Sequence, residues 1–166
     1  MNDAFYEQLV PAKISFKNLA LVIVSVLGTI FLSLFLRQYI GNMIVFVIFA
    51  AGISIWHFLI PRIRREYEYY LLNYILEITL IMNKETRSNI MEFDIRKAEI
   101  VAPVGSSELK NFRPTKKLDF TSGNKNANIY SILIHLEQDL HNILIEPDER
   151  MIEQMKVWLN GKMIVK

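Results

Sequence analysis

The sequence predicts a membrane protein made of a two-helix transmembrane hairpin followed by a small α+β domain of about seven antiparallel strands and a C-terminal helix. Three observations carry this. Residues 19–36 and 43–60 are apolar runs of eighteen residues each, without an acid, Lys or Arg. Apolar residues then alternate with period two through much of residues 67–145, and the period becomes helical over 148–160. The chain accordingly divides into an N-terminal cytoplasmic segment (1–18), the hairpin (19–60) and a cytoplasmic β domain (61–166).

At about 1.5 Å of rise per residue, each run spans roughly 27 Å, close to the hydrocarbon thickness of a bilayer. A soluble core helix of this length usually keeps a polar stripe, and neither run has one. Lys13 and Lys17 precede the first run as a signal peptide's basic region does. No small-x-small cleavage pattern follows Leu36, however, and a second run arrives six residues later, so the first is expected to be retained. The six-residue connection carries only Arg37, whereas Lys13 and Lys17 flank one outer end and Arg62, Arg64 and Arg65 the other. This excess of outer cations predicts two spans of the cell membrane with both termini cytoplasmic. Counted inward from those ends, Ser25 and Gly28 lie at nearly the depths of Ser54 and Gly52, which predicts a packing seam of these four small residues. His57, next to Trp56 and three residues from the end of its run, reads as an interfacial anchor rather than a proton relay.

The 105 residues from Arg62 hold sixteen Lys plus Arg against fifteen Asp plus Glu. That balance leaves no basic patch for nucleic acid. With no cysteine in the chain, disulfides, thiol catalysis and thiolate metal sites are excluded. Strands are expected at 67–72, 76–82, 91–95, 99–102, 118–120, 130–136 and 143–145, separated by turn chemistry at Asn73, residues 83–86, Ser122-Gly123-Asn124 and residues 139–142. Pro147-Asp148 then opens a helix with Asp148 as N-cap. Met151, Ile152, Met155, Trp158 and Leu159 line one face, and Gly161 stops it. Six residues, 61–66, link the second span to the first strand and reach at most about 20 Å, so the domain is held near the bilayer surface.

Strands in this number followed by one closing helix resemble the pleckstrin-homology-like (PH-like) barrel, and bacterial membrane proteins pair two spans with such a domain. More narrowly, four stretches carry a likeness to an uncharacterised family of short two-span bacterial membrane proteins of unknown function. They are Phe5-Tyr6-Glu7-Gln8-Leu9-Val10, Glu66-Tyr67-Glu68-Tyr69, Ile100-Val101-Ala102-Pro103-Val104-Gly105-Ser106 and Glu146-Pro147-Asp148-Glu149. The resemblance implies a fold and a location, not an activity.

Candidates for chemistry are few. His135 and His141, with Glu137 and Asp139 between them, are expected at a solvated hairpin tip, where ligands do not converge on a metal. Gly105 and Gly123 are isolated and form no phosphate loop, and Ser106 and Ser107 lack the glycines of a nucleophile elbow. No catalytic residue, cofactor or metal is assigned. The segment 103–117 carries Lys110, Arg113, Lys116 and Lys117 against Glu108. With Arg62, Arg64 and Arg65, these cations are candidates for contact with anionic headgroups or a partner. The expected role is a non-enzymatic binding or scaffolding module tethered to the bilayer, with a protein partner or a second copy. The alternatives are a subunit of a membrane enzyme or transporter complex, and an anionic-lipid sensor.

Overall fold

The computed structural model describes residues 5–12, 16–59 and 65–165. They form two compact units: one of residues 5–12, 66–81 and 87–165, the other of 16–59, 65 and 82–86.

In the second unit, α1 (Phe16–Ile40) and α2 (Ile44–Ser54) are joined by a single 3-10 turn, Gly41–Met43, and α2 continues as a π-helical turn, Ile55–Leu59. Both helices are long and apolar enough to cross a membrane, over Phe16–Tyr39 and Gly41–Leu59. The seam between them differs from the expected one. Along α1 the less exposed positions are Val22, Ser25, Thr29, Ser33 and Leu36, and along α2 they are Ile44, Val47, Ala51, Ile55 and Leu59. Ser25 belongs to this seam, but Gly28, Gly52 and Ser54 are exposed, and a Cβ on either glycine would meet nothing within 4 Å. Matching residues by depth ignores helical phase: Gly52 is turned about 100° from Ala51, which does face α1. The hydroxyls are satisfied within their own helices, Ser25 donating to Leu21 O at 2.8 Å, Thr29 to Ser25 O at 2.8 Å and Ser54 to Ala50 O at 2.9 Å.

The other unit holds eight strands rather than about seven. All seven expected strands are present: β2 (Arg65–Leu72), β3 (Ile75–Met82), β4 (Thr86–Asp94), β5 (Ala98–Pro103), β6 (Lys116–Asp119), β7 (Tyr130–Leu136) and β8 (Asp139–Ile145). The eighth, β1 (Phe5–Pro11), lies before the hairpin. It pairs antiparallel with β2 over its whole length, from Phe5 opposite Leu72 to Pro11 opposite Glu66. The separate N-terminal segment expected over 1–18 is therefore divided, its first part being an edge strand of the β domain. The hairpin is inserted between two adjacent strands of one sheet.

The first sheet has the order β1-β2-β3-β4 and the second β5-β7-β8-β6. Within the second, β6 runs parallel to β8, Lys116 opposite His141, where an all-antiparallel arrangement was expected. Asn73, Asn83 and Lys84 take positive φ in the short turns flanking β3, as their turn chemistry predicts for the two asparagines. The inner faces meet over one core, with Tyr69, Leu71, Leu76 and Ile78 from the first sheet and Val101, Ile132, Ile134, Ile143 and Ile145 from the second, all nearly or fully inaccessible. A third helix, α3 (Glu149–Leu159), buries Met151, Ile152, Met155 and Leu159 against it. The Asp148 carboxylate accepts from Met151 N–H at 2.8 Å, the cap that the sequence predicts.

Candidate functional site

Distant parts of the chain converge on polar chemistry at the junction of β1 with the connection from β8 to α3. Alternation along β1 turns Tyr6, Gln8 and Val10 to the same side, and Val10 enters the core at 3% exposure. The Gln8 amide bridges the connection: its Nε2 donates to Glu146 O at 2.8 Å, and its Oε1 accepts from Asp148 N–H at 2.9 Å. The Tyr6 hydroxyl donates to the Asp148 carboxylate, and this bond, above all, raises the Tyr6 pKa. Asp148 thus serves the start of α3 with one oxygen and β1 with the other.

Tyr69 closes the junction from inside. Its hydroxyl donates to Phe120 O at 2.6 Å and accepts from Glu146 N–H at 3.3 Å. Burial pushes this phenol far above its usual range, so it stays a neutral donor and acceptor. Glu146 Oε2 in turn accepts from Ser122 N–H at 2.9 Å. A hydrogen-bonded seam therefore joins β1, β2, the loop after β6 and the start of α3. Replacing Asp148 with Ala is expected to cost about 1 kcal/mol through the lost cap, read as a lower midpoint in denaturant unfolding. An Asp148→Asn variant, which still accepts a bond at the cap, should recover most of it.

A second polar group lies where Glu68 of β2 is only 6% exposed. Arg87 of β4 reaches its Oε2 at 3.3 Å, while its Oε1 has no hydrogen-bond partner among the described residues. Burial raises the Glu68 pKa; Arg87 opposes the rise, and the neighbouring Glu7 carboxyl adds to it.

The cations singled out from sequence fall on several elements. Arg62 and Arg64 lie outside the described residues. Arg65 begins β2, half-buried. Lys110 is exposed on the 3-10 turn Ser107–Asn111, Arg113 is exposed in the following loop, and Lys116 and Lys117 begin β6. Lys116 is held by Asp139 at 2.8 Å, a bond that raises the ammonium pKa and lowers that of the carboxyl. His135 is exposed as expected. His141 is not: it is 9% exposed within β8, its Nδ1 lying 3.0 Å from Asp139 O. Among the described residues, no three His, Asp or Glu side chains are grouped to hold a metal.

The junction unites two of the stretches that carried the family likeness, residues 5–10 and 146–149, and Tyr69 lies in a third. A family model described as "Bacterial PH-like domain (DUF6106)" matches residues 2–165. The chain belongs to this family. The matched range takes in β1, the hairpin and the β domain together, so the family model of this PH-like protein extends over the inserted helices. No curated protein and no solved structure matches the chain.

Sequence reasoning missed β1 because neither of its faces is uniformly apolar: Phe5, Glu7 and Leu9 alternate with Tyr6, Gln8 and Val10. The available signal was the 5–10 motif itself, in which Tyr6 and Gln8 bond across the junction and Val10 enters the core.

Proposed function

We propose that this PH-like protein is a non-enzymatic, membrane-anchored binding module: the hairpin crosses the cell membrane twice, and β1 and the rest of the domain lie together on the cytoplasmic face. The observation that carries this reading is the pairing of Pro11 with Glu66 across the inserted hairpin. A single sheet cannot be divided by a bilayer, so chain entering and leaving the hairpin belongs on one side. Lys17 and Arg65, with Lys13, Arg62 and Arg64 in the sequence, outnumber Arg37 at the connection and favour the cytoplasm for that side. Support for binding comes from what the domain offers outward. Strand β4 forms one edge of the first sheet and is exposed over residues 86–90, where an added strand finds free backbone groups.

Because the chain has no cysteine, single introduced cysteines report topology cleanly. In intact cells, an impermeant maleimide should label the Asn42→Cys variant. Leu9→Cys and Lys110→Cys should react only after permeabilisation. Opposite behaviour of the last two would refute the common side, and labelling of both from outside would reverse the orientation.

A further inference from the structure

A groove opens between α1 and α2 at the connection end of the hairpin, where Gly41, at φ 54°, begins the turn that reverses the chain. Arg37 of α1 and Asn42 of the turn, both exposed, stand at its mouth, and Leu34, Val45 and Ile48 give it apolar walls. Leu34 lies about one helical turn deeper than Arg37, and Ile48 about one turn deeper than the start of α2, roughly 5 Å in each case. Ser33 also lines the groove, at 8% exposure, but its hydroxyl donates to Ile30 O at 2.7 Å. The side-chain donors left at the mouth are the Arg37 guanidinium and the Asn42 amide. From Gln8 to Arg65 the sequence contains no Asp or Glu. The cation at this end of the hairpin therefore has no carboxylate to meet within it.

We propose that this groove binds an anionic phospholipid, its phosphodiester held by Arg37 and Asn42 and the first methylenes of one acyl chain lying against Leu34, Val45 and Ile48. Cation and apolar wall follow each other over the depth at which a phospholipid passes from headgroup to hydrocarbon. An arginine at the edge of a span reaches toward the interface, where lipid phosphate is the abundant anion. A second copy of the chain is a poor occupant, since it brings the same cation to the same depth and no acid to meet it. A zwitterionic lipid carries its own cationic group close to the phosphate and so answers Arg37 less well than a lipid of net negative charge. This identifies a ligand for the membrane-anchored module proposed above and rests on the hairpin crossing the bilayer. Failure of that reading would show as a protein that does not insert into vesicles, whereas failure of the lipid site leaves an inserted protein without lipid preference.

The test uses the full chain carrying Tyr39→Cys, a position that is 70% exposed and outside the groove lining, labelled with a fluorophore and inserted in phosphatidylcholine vesicles. A small fraction of added phosphatidylglycerol or phosphatidylcholine bears a nitroxide near the top of one acyl chain and quenches by contact. Phosphatidylglycerol should reach half-quenching at an about fivefold lower mole fraction, the equivalent of one cation's attraction to an anionic lipid. Arg37→Gln should abolish that preference, Arg37→Lys should keep part of it, and Lys17→Gln at the opposite end should leave it unchanged. Val45→Trp, which retains Arg37 but fills the groove, should also abolish it and so separates a seated lipid from general attraction to the charge. Equal quenching by the two lipids overturns the proposal, as does a preference that survives Arg37→Gln or Val45→Trp. Loss of the preference in excess inorganic phosphate, at an ionic strength matched with chloride, would assign the site to a soluble anion and overturn the lipid. Protection of the label from both lipids would overturn it as well and assign the groove to another protein chain.

Discussion

A chain cut to residues 65–165, which keeps seven strands and α3, is expected to be destabilised by about 3 kcal/mol or more relative to one that regains β1. Loss of Val10 from the core contributes roughly 2 kcal/mol by itself. Removal of Gln8 leaves Glu146 O and Asp148 N–H without their partners, at about 1 kcal/mol or more if those groups are screened from water. Strand β2 becomes an edge along its length. The remedy follows from the register. Pro11 and Glu66 are opposite each other in an antiparallel pair, with Cα atoms about 5 Å apart, so a Gly/Ser turn of a few residues can replace the hairpin and join 5–12 to 65–165. Denaturant unfolding of the two soluble chains checks this. The rejoined chain should unfold in one cooperative transition, and the shorter one should unfold at much lower denaturant or fail to fold. Equal midpoints would make β1 dispensable and reduce the hairpin to an N-terminal anchor.

Tyr69→Phe should cost about 1–3 kcal/mol, although the substitution preserves the ring and creates almost no cavity. The cost arises from two orphaned groups. Phe120 O loses a 2.6 Å donor and Glu146 N–H its acceptor, at a residue that is 0% exposed. A buried polar group left unpaired costs more than the net value of the bond it made. Thermal unfolding of the full chain, followed by near-ultraviolet circular dichroism, reads the loss. Tyr70→Phe on the next residue, which points away from the core, is the control and should change little. If the two variants melted alike, the internal seam would contribute nothing measurable.

Elements marked by local signals were legible in the sequence, and those set by distant partners were not. Strands β3 and β7 were legible because apolar residues recur at every second position, β8 only from Ile143 because residues 139–142 read as a turn and are strand, and α3 because Asp148, the apolar stripe and Gly161 mark its start, face and end. Strand β1 was illegible because its pattern is set by partners about 140 residues away, Glu146 and Asp148. The parallel course of β6 depends on where the 103–115 segment delivers the chain, which no residue of β6 encodes. His141 was legible in principle: it shares the inner-face register of Ile143 and Ile145, and the weight given to an exposed turn obscured it. In the hairpin, composition gave length and charge asymmetry, whereas rotational phase decided that Ser25 faces α2 and Gly28 does not. For function, the motifs marked a structural junction rather than a reactive centre.

The central claim is that the strand before the hairpin and the strand after it form one sheet. Cysteines introduced at Glu7 and Tyr70, which face each other in the β1–β2 register, test it in native membranes without detergent. The double variant Glu7→Cys/Tyr70→Cys should form an intramolecular disulfide on mild oxidation, while Glu7→Cys/Lys110→Cys should not. Failure of the first pair to crosslink, with both thiols reactive toward maleimide, would contradict the account.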